Sequence, residues 1–298
     1  MLGRFAQLLL IVLARFPRRL CQLLGRLVGL INFLVKTRAY QVTRANLRLC
    51  FPDMADVDRE TLVKESLLST GQTLMETPAV WLASEKVLEK WIARVSADNL
   101  LNEAVGEGKG VIVLLPHLGN WELFNVYFAS RGKMTALYQP PRKAYLQETM
   151  KKIRGHFGNE LVAANVKGIA RLYRVLDKGG VVVILPDQVP ATGLYVPFFG
   201  IEALTDKLLS RLVRKTDAKV VAACVTRLED GRFEVGFRAV DGGIYSSDIE
   251  RSVRAVNATV ENCVLEVPAQ YQWEYKRFRE RPKGEKKIYR FNKPETFH

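Results

Sequence analysis

The chain has 298 residues, 48% of them apolar and 26% charged, with a formal net charge of +14. Such a chain buries a substantial core as one large domain or two small ones, and its ordinary apolar content excludes a disordered protein. Its four cysteines (Cys21, Cys50, Cys224, Cys263) show no paired spacing, so neither a disulfide framework nor a zinc site is indicated, and they suit a reducing compartment. The charge is uneven. Residues 1–48 hold nine Lys/Arg and no acid, residues 274–298 hold nine against four acids, and the stretch between is neutral. The basic ends therefore face an anionic partner: lipid head groups, an acidic protein or nucleic acid.

The N-terminus decides among these. Residues 5–13 and 20–35 are apolar runs split by Arg15, Pro17, Arg18 and Arg19, with Arg26 inside the second. Neither reaches the roughly 20 residues that a spanning helix needs, and no small-residue cleavage site marks a signal peptide. Two interfacial helices with arginines in the head-group layer fit best. A tilted span from 20–35 and a pair of buried amphipathic helices are the alternatives. A nucleic-acid arm would be less apolar. The organisation expected is a membrane-associated helical segment over residues 1–35 and an α/β domain over 36–298.

Along that domain, helices are expected over 37–51, 58–82 with Pro78 as a break or kink, 84–91 and 99–106. A buried strand covers 110–115, a helix 120–131 and a second strand 135–138. Further helices cover 145–157 and 168–177, the latter ended by Lys178-Gly179-Gly180. A buried strand follows over 181–185, then a helix over 206–216. Strands over 220–227 and 232–240 join through an Asp-Gly turn, and a long helix covers 249–267. Strands alternating with helices imply a mixed central sheet with helices on both faces.

Two polar clusters follow the two buried strands. After the first comes Pro116-His117-Leu118-Gly119-Asn120-Trp121-Glu122, in a chain with three histidines. A histidine at a strand end, with a carboxylate shortly after, is a base-and-orienter pair, although a lone pair of this kind is more often structural. Strand carboxyl ends are where open α/β sheets bind ligands, and Asn120 can cap the following helix, leaving N–H groups for an oxyanion. After the second strand, Pro186-Asp187-Gln188 should face the same crevice. The Pro- and aromatic-rich stretch to Gly200 reads either as a rigid apolar wall of the site or as a loop that only shapes the core.

Together these segments resemble the late acyltransferases of lipid A biosynthesis, within the lysophospholipid acyltransferase superfamily. The resemblance runs from about residue 1 to 290. It rests on His-Leu-Gly-Asn-Trp-Glu at 117–122, Arg154-Gly155 after a basic helix, Pro186-Asp187-Gln188, Val-Pro-Phe-Phe at 196–199, and Tyr271-Gln272-Trp273 through Lys276-Arg277-Phe278-Arg279 to Arg281-Pro282. It implies an O-acyltransferase that moves a fatty acyl chain from an acyl carrier protein thioester to a hydroxyl of an anionic glycolipid, a Kdo-lipid A precursor, in lipopolysaccharide biosynthesis. The place implied is the cytoplasmic face of the inner membrane, with inner-membrane lipid as a further partner and no nucleic acid. His117 would be the base and Glu122 would hold its ring. Arg154, Asp187, Gln188, Asn120 and Tyr138 would bind substrate, with no cofactor and no metal. No Gly-x-Ser-x-Gly elbow is present, which argues against a lipase-type serine. The alternatives are acylation of another glycolipid, such as a phosphatidylinositol mannoside, and a non-catalytic peripheral lipid-binding protein.

Overall fold

The computed structural model describes residues 8, 10–138 and 157–291. Helices α1 (Arg18–Leu34), α2 (Arg38–Cys50) and α3 (Asp56–Leu82) form an N-terminal layer. After α4 (Glu85–Glu89) the chain alternates: β1 (Ile92–Ser96), α5 (Asn99–Gly106), β2 (Val111–Leu114), α6 (Leu123–Ala129), β3 (Met134–Tyr138), β4 (Glu160–Ala163), α7 (Val166–Leu176) and β5 (Val181–Ile184). A ribbon of β6 (Leu194–Phe198) and β7 (Ile201–Thr205) leads to α8 (Leu208–Thr216), β8 (Lys219–Arg227), β9 (Phe233–Arg238) and α9 (Ile249–Glu266).

Seven strands make one sheet in the order β1-β9-β8-β2-β5-β3-β4. β8, β2, β5, β3 and β4 are parallel, while β9 pairs antiparallel with β8 and parallel with β1. The sheet is mixed, as expected. Its two faces carry separate cores. One holds Leu114, Ile184, Val256 and Trp273; the other holds Val113, Phe124, Val183 and Phe237. Every residue of β2 and β5 is buried, which is why both read as unbroken apolar runs.

The sequence reading misses β1, β4 and the β6–β7 ribbon. β1 and β4 lie at the sheet edges with half-exposed residues, so no buried run or alternation marks them. The ribbon turns at Phe199 and Gly200, both at positive φ (50° and 74°), and carries Pro197 where only one neighbour needs pairing. Pro78 ends nothing, since α3 continues to Leu82.

α1 and α9 are nearly equal in length, yet they pack in opposite senses. α9 buries its large apolar residues, among them Val253, Val256, Val260 and Val264. α1 buries the small ones. Gly25 and Gly29 lie so close to α3 that an added Cβ would fall 2.4 Å from Gln72 Cα and 2.3 Å from Leu67 O. Its large apolar side chains, Leu20, Leu23, Leu27, Ile31 and Leu34, stand exposed at three- and four-residue spacing on one outer stripe. A pair of buried helices is therefore not what α1 belongs to. Among the described residues no single helix is long and apolar enough to cross a membrane. α1 and α2 pass that test only together, bent by 78°, and α2 spends its apolar face on the protein core.

Candidate active site

β2 and β5 are adjacent, parallel and in register, Leu114 opposite Ile184. Three residues past those partners come His117 and Asp187. The register therefore brings them together. The backbone N–H of His117 donates to Asp187 Oδ2 (2.8 Å), and the ring Nδ1 lies 2.7 Å from Asp187 Oδ1. The Asp187 side chain is 1% exposed and that of His117 13%. Burial by itself pushes the Asp187 carboxyl up; the His117 charge and both hydrogen bonds outweigh it and hold the group below the usual carboxylate range. A carboxylate on Nδ1 fixes the tautomer with its proton there. The other nitrogen, Nε2, then accepts from the Gln188 amide Nε2 at 3.1 Å. That amide also reaches Gln272 Oε1, 3.2 Å away. The ring is thus held by one side while its basic lone pair points at a replaceable donor.

The turn carrying His117 is locked from three directions. Gly119 has φ +62°, and an added Cβ would fall 2.0 Å from Val225 O, so glycine is required there. Gly119 N donates to Gln270 O, Gln272 N to His117 O, and Thr73 Oγ1 to Gly119 O. The C-terminal motif does this lacing: Trp273 and Phe278 are buried, and Arg277 is buried against Leu204 O and Thr205 Oγ1. Trp121 meets the His117 ring edge-on, with centroids 4.8 Å apart.

In front of Nε2 lies a cavity of about 460 Å³. His117, Gln188, Gln272, Glu122 and Tyr138 line it on the polar side, and Phe124, Met134, Leu137, Leu161 and Val183 extend it as an apolar trough against the sheet. His117, Glu122, Asp187, Gln188 and Tyr138 are therefore gathered at one crevice. Arg154 and the helix expected over 145–157 lie outside the described residues, Phe157 apart.

Three expectations need correction. The ring is oriented by Asp187, not by Glu122; Glu122 is the residue before α6, lines the cavity wall, and sits 3.5 Å from Asn125 Nδ2. Asn120 does not cap a helix. Its side chain is buried and donates to Glu76 Oε2 (3.0 Å) on α3, while α6 begins only at Leu123. The segment 195–199 is not a wall of this cavity. Val196 and Phe198 are buried, with Phe198 in the core on the α9 side, Tyr195 donates to Arg281 O, and Phe199 packs on Phe51 and Trp273.

Sequence reasoning also missed a buried ion pair behind the turn. Arg227, at the end of β8, meets Glu76 Oε2 at 2.6 Å and Oε1 at 3.0 Å, with side chains 6% and 0% exposed. Glu76 also accepts from Gln22 of α1. A lone glutamate inside a helix gave no signal; only the fold brings 22, 76, 120 and 227 together. Among the described residues no group of three or more His, Cys, Asp or Glu is placed to hold a metal ion.

The sequence profile of a family described as bacterial lipid A biosynthesis acyltransferase matches residues 4–280. Similar proteins of Escherichia coli (strain K12) include the lipid A biosynthesis lauroyltransferase, 26% identical over 92% of this chain and 90% of that protein. The lipid A biosynthesis palmitoleoyltransferase is 27% identical over 89% and 87%. The lipid A biosynthesis myristoyltransferase is 28% identical over 90% and 82%.

Proposed function

Since the chain belongs to the bacterial lipid A biosynthesis acyltransferase family, we propose that it transfers a fatty acyl chain from an acyl carrier protein thioester to a hydroxyl of a Kdo-bearing, phosphorylated lipid A precursor. The observation that carries this reading is the His117–Asp187 clamp beside a cavity lined by both polar and apolar side chains. The acceptor hydroxyl takes the place of the Gln188 amide at Nε2 and gives its proton to the ring. Asp187 steadies the imidazolium from the far side, and Glu122 adds negative charge from the cavity wall. The alkoxide attacks the thioester carbonyl, the C–S bond breaks, and the departing thiolate takes the proton back from Nε2. Backbone N–H or basic groups stabilise the oxyanion. A thioester is already activated, so no covalent acyl-enzyme is needed.

The Phe124–Met134–Val183 trough receives the donor chain, whose burial is worth about 0.8 kcal/mol per CH₂. The exposed stripe of α1 and the arginines around it support a membrane-associated segment over residues 1–35, lying in the anionic cytoplasmic leaflet of the inner membrane. The test is transfer from carrier-bound chains to the Kdo-lipid A precursor by purified protein, read by product mass and compared with coenzyme A donors and a non-phosphorylated glycolipid. Preference for the carrier and the phosphorylated acceptor is expected. Preference for a non-phosphorylated glycolipid replaces the acceptor assignment, and absence of any transfer leaves the lipid-binding reading.

A further inference from the structure

The cavity at His117 is the first of three neighbours. Trp121 and Gln272 line both it and a neighbouring cavity of about 250 Å³ along α3. Ser69 and Gln270 line both that second cavity and a third, of about 460 Å³, at the foot of α1. The shared residues place the three in a row, from the cavity at His117 to the N-terminal helix.

The character of the walls changes along this path. The middle stretch shows mostly apolar wall, with Leu74 and Trp121 among its residues, and its hydroxyls are engaged within the protein: Thr70 Oγ1 donates to Glu274 Oε2, Thr73 Oγ1 to Gly119 O and Thr77 Oγ1 to Thr73 O, while Ser69 Oγ accepts from Arg227. Ser69, Thr73 and Thr77 repeat every four residues and so cover about 12 Å of helix axis. In the one acid here, Glu274, burial pushes the carboxyl up.

The outer stretch is cationic. Arg19 and Arg26 stand seven residues apart, two turns of α1, and both line the third cavity. Among the described residues neither makes an ion pair. The other charges of this wall are mostly engaged: Arg227 is paired with Glu76 and Asp230 with Arg232, which leaves exposed Glu229 at the rim. Leu23, between the two arginines in sequence, belongs to both this wall and the outward apolar stripe. An anionic group at Arg19 and Arg26 would therefore sit at head-group depth if the stripe meets lipid.

We propose that the third cavity takes a phosphate of the acceptor glycolipid, held by Arg19 and Arg26, with the middle cavity lying between that phosphate and His117. This assignment rests on the acyltransferase reading above and adds to it the place where the phosphate is recognised.

The experiment measures KM for a phosphorylated acceptor and for the same acceptor after phosphatase treatment, in neutral detergent, with full-length wild type and R19Q/R26Q. The wild-type KM for the dephosphorylated acceptor should exceed that for the phosphorylated one about tenfold or more, the effect of one or two charge-assisted contacts. In R19Q/R26Q the ratio should fall toward one. R48Q/R174Q, which removes the same number of charges from other faces, should keep the wild-type ratio. Sedimentation with phosphatidylglycerol vesicles separates the two sources of phosphate. R19Q/R26Q should sediment as the wild type does. Lost sedimentation with an unchanged KM ratio would assign the arginines to bulk lipid and overturn the proposal. So would a KM that rises equally for both acceptors. A wild type that transfers acyl groups to neither acceptor would refute the enzymatic reading itself, a result distinct from either.

Discussion

The loops after β2 and β5 leave two nearly interchangeable strands, Val-Ile-Val-Leu and Val-Val-Val-Ile, and do different work. The β2 loop is held open. Its glycine sits at positive φ, its carbonyls and amides are tied to the C-terminal segment, and it presents a ring with one nitrogen toward the cavity. The β5 loop turns inward and buries a charge, Asp187, whose two oxygens are both taken by His117. One loop carries the imidazole ring and the other carries the carboxylate that holds it. The difference teaches that a ring and the carboxylate that orients it come from neighbouring strands rather than from one turn. A residue-by-residue comparison of the two loops breaks or sharpens that division.

The largest effect is expected at the reactive atom. H117A should lower kcat by about 10⁴-fold with the fold intact by circular dichroism, the upper range for loss of a positioned base. Near wild-type turnover would show that the ring is not the base. Next comes D187N, which keeps the shape and loses the charge; it should cost about 10³-fold in kcat with a smaller change in KM. D187N carries a second signature in stability. The Asp187 carboxyl is held below its ordinary value in the folded protein, so its contribution is present above the ordinary carboxylate range and lost as pH falls through the folded value. The gap in unfolding free energy between wild type and D187N should therefore close on acidification below about pH 4. A gap constant from pH 7 to pH 3 would contradict the clamp.

E122Q tests the division most directly. If Asp187 alone orients the ring, E122Q should cost about 10²-fold, less than D187N. A larger loss in E122Q than in D187N would return the orienting role to Glu122. The smallest effect is expected for Q188A, about tenfold in kcat, because its amide occupies a place the substrate hydroxyl takes over. A 10³-fold loss there would make Gln188 the principal oxyanion donor.

Much of this was legible in the chain, for identifiable reasons. β2, β5, β8, α5 and α9 announced themselves through buried runs or helical periodicity, and with them the two strand ends carrying His117 and Asp187. The edge strands were silent because half-exposed residues leave no period. Glu122 was mistaken for the orienter because proximity in sequence is a poor guide at a strand end. Asp187 lies 70 residues away and arrives through register.

The sequence by itself determined which side chains stand at the two buried strand ends and which segment is basic and apolar, because side-chain type and local period are properties of the chain. Only the tertiary structure decided which carboxylate holds the ring, that Asn120 serves Glu76 rather than a helix end, that the 196–199 segment belongs to the core, and that α1 packs its glycines inward and its leucines outward. Those choices depend on strand register and on how closely two backbones can approach. Both are set by the whole packed molecule rather than by any stretch of it.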